Sequence, residues 1–108
     1  MKTEKDVEDI LNVFRECIPL FSVLADEIRQ NILMVLAERE EGFNVNMITE
    51  KMPLSRPAIS HHLKALKQAG IVDSEKKGTE NFYYLTLKEP IEKIKVLIGL
   101  IEKSCELR

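Results

Sequence analysis

The sequence predicts a mainly α-helical chain with one small β-hairpin, and three observations carry that prediction. First, residues 54–70 read as a capped helix. Ser55 is placed to accept a bond from an orphan backbone N–H at its start, and Gly70 to close its end in a left-handed conformation. Ile59, Leu63 and Leu66 recur on one stripe at helical spacing. Second, two strand-like runs, residues 71–77 and 81–86, surround Lys77-Gly78-Thr79-Glu80, where Gly78 supplies the permissive backbone of a tight turn. Third, Asn44 is placed to cap a short helix reaching Met52. Pro53 stops that helix, leaving a brief link to Ser55. Short helix, tight turn, longer helix and hairpin in this order make a winged helix-turn-helix.

Around that centre, three further helices are expected. At the start, Val7, Ile10, Phe14, Cys17 and Phe21 recur at spacings of three and four, on a helix interrupted near Pro19. A middle helix runs from Asp26, its cap, to about Glu38. Ile28, Ile32, Val35 and Leu36 face inward and Glu27, Arg29, Gln30 and Glu38 outward, so its role is to seat the capped helix of residues 54–70. At the end, Pro90 suits the first position of a last helix. There Ile91, Ile94, Ile98, Ile101 and Cys105 repeat 3-4-3-4 on one stripe, with Leu97 and Leu100 beside it. That much apolar surface on a body already closed by a wing calls for a partner. The partner expected is a second copy, packed through the first and last helices around a two-fold axis. Two reading helices then fall about one DNA turn or a multiple apart, on an inverted-repeat operator.

At 108 residues the chain is expected to be a single domain: 1–24 and 88–108 for dimerisation, 25–87 for the winged helix. Apolar residues make up 44% and charged residues 31%, a globular rather than a disordered balance. No apolar run reaches a membrane span and the acidic start is no secretory signal, so the expected location is the cytoplasm, without a membrane partner. The net charge of −2 argues at first against nucleic acid, but its distribution answers that. Between residues 51 and 78 lie six cations (Lys51, Arg56, Lys64, Lys67, Lys76, Lys77) and two acids (Asp73, Glu75), a segment of +4 on a remainder of −6. An enzyme is not expected. No nucleophile sits with an acid/base pair, no glycine loop is built to cradle phosphate, and there are only four glycines in all.

The outward side of the capped helix holds Pro57, Ser60, His61, Lys64 and Gln68, polar and without an acid. Ser55 and the first-turn N–H groups are the expected phosphate site, since a helix start offers unpaired donors. Arg56 adds a phosphate or guanine contact, and Ser60, His61 and Lys64 read bases. Pro57 stiffens the start and packs on a thymine methyl. Lys76 and Lys77, with Thr79 at the wing tip, follow the neighbouring backbone or enter the minor groove. Tyr83 is read first as packing, with a reach back to phosphate as the alternative.

Leu24-Ala25-Asp26 and the helical run to Leu36, Phe43-Asn44-Val45-Asn46-Met47-Ile48, residues 54–66 including Ser60-His61-His62-Leu63, and Phe82-Tyr83-Tyr84-Leu85 follow one another in a familiar order. From about Phe21 to Leu87 the chain resembles the ArsR-type repressors. The resemblance implies an α-α-α-α-β-β-α winged-helix fold, a homodimer and operator binding; many members of that family release DNA on binding a metal. The family's common thiol site has cysteines at two positions one residue apart, here Asn44 and Asn46, and amides are poor ligands for soft metals. Another family site uses carboxylates and histidines on the last helix, which here has Glu89, Glu92, Glu102 and Glu106 but no histidine. The two histidines, His61 and His62, diverge by about 100° on one helix and cannot chelate together. His62 flanks the apolar stripe as a structural group. No metal and no cofactor are therefore expected, and the effector is unidentified. Cys17 and Cys105 leave two alternatives open. Either they are simply buried, or they approach each other as a redox pair that alters the angle between subunits. A winged-helix interaction module without DNA binding is the other class to be separated.

Overall fold

The computed structural model describes residues 3–104. Five helices and one hairpin follow in the order α1 (Glu4–Leu24), α2 (Glu27–Leu36), α3 (Val45–Thr49), α4 (Arg56–Gln68), β1 (Val72–Lys77), β2 (Glu80–Leu85) and α5 (Lys88–Ser104). This is the α-α-α-α-β-β-α winged helix. None of the described helices is long and apolar enough to cross a membrane.

The starts of α1 to α4 are each set by a side chain. Thr3 and Asp6 form a reciprocal capping box on α1: the Thr3 N–H donates to Asp6 Oδ2 at 3.0 Å and the Asp6 N–H to Thr3 Oγ1 at 3.2 Å. Asp26 Oδ1 accepts from the N–H groups of Ile28 (2.8 Å) and Arg29 (3.2 Å) to start α2. Asn44 Oδ1 accepts from Met47 N–H at 2.8 Å to start α3. Ser55 Oγ accepts from Ala58 N–H at 3.3 Å to start α4. At the other end of α4, Gly70 has φ +78°, its N–H donates to Lys67 O, and the Ile71 N–H donates to Leu66 O. Those paired bonds close the helix as a Schellman motif. The caps expected at Asp26, Asn44, Ser55 and Gly70 are all present.

Two departures from expectation fall at prolines. α1 runs unbroken through Pro19, because proline removes only the bond to the Arg15 carbonyl and both residues lie on the exposed side, open to water. α5 begins at Lys88, two residues before Pro90. The first N–H groups of a helix have no internal acceptor, so Pro90 costs no bond there either. α3 is also shorter than expected, with Glu50 as its C-cap.

The core gathers Cys17, Leu20 and Val23 from α1, Ile32, Leu33 and Leu36 from α2, Ile48 from α3, and Ile59, Leu63 and Leu66 from α4. Phe43, Ile71, Val72 and Leu97 complete it. Ile28, expected to face inward, is exposed, and Leu33, not counted in the inward set, is buried. The loop after α2 extends the wing. Phe43 and Tyr83 exchange both backbone bonds at 2.9 Å, and Gly42, at φ +87°, lets the loop pass so close to Tyr83 that a Cβ there would lie 2.5 Å from its carbonyl oxygen. In the hairpin, Val72 pairs with Leu85 and Lys77 with Glu80.

α1 and α5 pack antiparallel. Asp6, near the start of α1, feels the charge of Lys103 at the end of α5, and Glu16 and Leu20 share a cleft with Pro90 and Lys93. This helical pair draws the chain out to 55 × 25 × 20 Å, with a radius of gyration of 17.1 Å. A compact chain of this length would have about 13 Å.

Candidate nucleic-acid interface

α4 has two sharply different sides. Ile59, Leu63 and Leu66 are fully buried, each contributing about 1.5–3 kcal/mol by its removal from water. Ser55, Arg56, Pro57, Ser60, His61, Lys64 and Gln68 are all exposed. The burial of the inner side thus fixes the rotation of the helix and presents the outer one. At the wing, Lys76, Lys77 and Thr79 are exposed too.

The cations of the positive segment separate into two groups. Lys51 is bound to Glu38 at 2.9 Å, and Lys67 to Ser74 Oγ at 2.8 Å with Asp73 at 3.9 Å, so both serve the fold. Among the described residues, Lys64, Lys76 and Lys77 have no carboxylate partner. Lys77 instead stands over the Phe82 ring, 5.2 Å from its centre. Arg56 donates through its Nη1 to Asn46 Oδ1.

Several residues at this surface escaped the sequence reading. Asn44 was anticipated as a cap and as the occupant of a family thiol position, yet its Nδ2 donates to Glu80 Oε2 at 2.8 Å and so joins α3 to the wing. Asn44, Asn46, Arg56, Ser60, Glu80 and Asn81 line one open cleft of about 260 Å³ between α3, α4 and the hairpin. Tyr83 is half-buried at its edge, packed against the core as first read.

The dimer stripe is divided by the structure. Val7, Phe14, Ile91 and Ile98 are exposed, whereas Ile10, Ile94 and Ile101 pack against the chain's own core. On α1 the exposed row is Val7, Leu11, Phe14, Ile18 and Phe21, between 41% and 57% exposed at alternating spacings of four and three. Sequence spacing alone had put Ile10 and Cys17 in that row. Cys17 is fully buried in the core, and Cys105 lies outside the described residues.

Residues 26–74 match the family model described as bacterial regulatory protein, arsR family. An HTH-type transcriptional regulator of Methanocaldococcus jannaschii, MJ1325, is 36% identical over 83% of this chain and 96% of its own length. The chain belongs to the ArsR family. The transcriptional repressor SdpR of Bacillus subtilis is 31% identical over 79% of this chain and 92% of its own. An ArsR-like transcriptional regulator from Rhodococcus sp. RHA1 superposes with a TM-score of 0.74 at 29% identity, covering 86% of this chain and 84% of that one. These relatives are regulators of transcription rather than enzymes, and this ArsR-family chain is a DNA-binding regulator.

The soft-metal site of the ArsR family does not fit the residues present. At the two thiol positions stand Asn44 and Asn46, whose amides are engaged by Glu80 and Arg56. Among the described residues no three His, Cys, Asp or Glu side chains gather as a metal would need. The rings of His61 and His62 lie 5.8 Å apart at 64°; His61 is exposed, while His62 is half-buried with its Nδ1 unpartnered. Of the last-helix carboxylates Glu89, Glu92, Glu102 and Glu106, the last lies outside the described residues.

Proposed function

We propose that this ArsR-family chain is a homodimeric, sequence-specific repressor acting in the cytoplasm on an inverted-repeat operator. One observation carries the reading: the outward side of α4 is uncovered over its whole length and bears Arg56, Ser60, His61 and Lys64 without a single acid. Ser55 and Arg56 meet phosphate, Ser60, His61 and Lys64 meet base edges, and Pro57 packs on a thymine methyl. Lys76, Lys77 and Thr79 hold the adjacent backbone.

Residues 25–87 form the DNA-binding part, and residues 1–24 and 88–108 bring two copies together. The exposed row on α1, with Ile91 and Ile98 on α5, supplies the apolar surface. The drawn-out shape of the protomer supports the same reading, since a pair of helices with one side bare is half of an interface. A direct redox bridge from Cys17 has little support, because its thiol is sealed inside one protomer.

Titration of the protein onto duplex DNA between about 50 and 200 mM salt tests the function. Affinity should fall by orders of magnitude over that range, as counterions are released from the phosphates. A flat response would leave an interaction module as the answer.

A further inference from the structure

α3 buries Ile48 in full and packs Val45 and Met47 against the core. Its other contribution is two amides facing the DNA-binding surface. Asn44 uses both ends of its side chain: Oδ1 accepts from Met47 N–H to cap α3, and Nδ2 donates to Glu80 Oε2, each at 2.8 Å. Asn46, two residues on, accepts from Arg56 at the start of α4.

The position of Glu80 gives the first of these bonds its consequence. The base of the wing is pinned by the Phe43–Tyr83 backbone pair and by Lys67 on Ser74. Beyond that, every residue from Glu75 to Asn81 is exposed, and the tip lies about 10 Å farther along the strands. Among the described residues, Asn44–Glu80 is the only side-chain hydrogen bond that joins the body to the wing past Ser74. A two-stranded ribbon anchored only at its base is a flexible element.

We propose that Asn44 is a positioning residue for DNA binding. Through Glu80 its amide tethers the wing, so that Lys76, Lys77 and Thr79 meet the same duplex that α4 reads. The proposal rests on the DNA reading of this surface, and it is separable from simple capping because Asn, Asp and Ser cap comparably. Asn44→Ser keeps the cap and cannot reach Glu80. Asn44→Asp keeps the cap and sets a carboxylate against the Glu80 carboxylate. The double variant Asn44→Asp/Glu80→Gln restores a hydrogen bond of reversed polarity at unchanged net charge.

Two measurements read the effect. Backbone ¹⁵N relaxation at Gly78 and Thr79 in the free protein should show a looser tip in both single variants. The double variant should return to wild-type order, with all melting temperatures within a few degrees. On a duplex selected by the wild-type protein from a random-sequence pool, Asn44→Ser should bind roughly fivefold more weakly, and the double variant like wild type. Asn44→Ser with an ordered tip and unchanged affinity would overturn the tether, as would a double variant as loose as Asn44→Asp. Wild-type protein that selects no duplex would overturn the DNA reading itself, while the relaxation data would still decide whether Asn44 holds the wing.

Discussion

The Lys77 ammonium lies 5.2 Å from the centre of the Phe82 ring, although Lys77 pairs across the hairpin with Glu80 and Phe82 with Glu75. The lysine thus leans diagonally over the ring rather than toward the acid opposite. An exposed contact of this kind is worth about 0.5–1 kcal/mol, enough to bias a long flexible side chain toward one direction. Lys77→Ala should weaken binding to all sequences alike and reduce the salt slope by about one. Phe82→Leu should weaken binding only slightly and leave the slope intact, because the charge is still present. Equal slopes in wild type and Lys77→Ala would remove Lys77 from the phosphate contacts.

His61 and His62 are neighbours with different surroundings, one exposed and the other half-buried against the core side. His61→Ala should change base preference at one or two operator positions, each lost contact costing about 1–3 kcal/mol. Selection from a random duplex pool by the two proteins reads this directly. An identical preferred sequence would exclude His61 from base reading.

Two glycines with positive φ should respond unequally to alanine. Gly70→Ala meets nothing within 4 Å and carries only the backbone cost of about 1–2 kcal/mol. Gly42→Ala adds to that cost a Cβ only 2.5 Å from Tyr83 O, which the fixed Phe43–Tyr83 pair cannot yield without breaking. Thermal melts should show the larger loss at Gly42. They would also show whether the wing detaches first, through early exposure of Tyr83.

A charge in the bare row of α1 should separate assembly from folding. Phe14→Lys or Ile18→Lys should give monomers in sedimentation and reduce operator affinity by more than tenfold, since each half-site then binds alone. Met34→Lys is the matching control. Met34 is 67% exposed on α2, away from that row, and its replacement should leave both properties unchanged.

Acid should weaken the fold partly through its helix caps. Bonds from the Arg29 and Ile28 N–H groups hold the Asp26 carboxyl below its usual value, and those from Thr3 do the same for Asp6. A carboxylate with a lowered folded pKa stabilises the fold above its unfolded value, near about 3.9, and loses that contribution as pH falls through the lower folded value. Asp26→Asn keeps a capping oxygen but does not titrate. Its acid unfolding curve should therefore be shallower than that of wild type below about pH 4.

The parts of this molecule that follow from near neighbours in the chain were readable from the chain. The Ser55 cap, the Gly70 closure and the Ile59–Leu63–Leu66 stripe each lie within a few residues of what they act on, and together they fix which side of α4 is presented. Partners distant in sequence were not readable. Nothing near Asn44 signals Glu80, thirty-six residues later, because the bond exists only once the loop after α2 has paired with β2. The division of α1 failed for a related reason: apolar residues on two adjacent stripes are equivalent in spacing, and only the seat of α5 decides which stripe goes inside. At Pro19 and Pro90 the sequence signal was real, but solvent and the free helix start absorbed the missing donors.

The inner side of α4 supports the fold without help from Pro57, Ser60, His61 or Lys64, none of which enters the core. Those four positions can therefore be rewritten without disturbing the core. A duplicated gene could drift to a new recognition sequence through a handful of surface exchanges while its scaffold stays as it is.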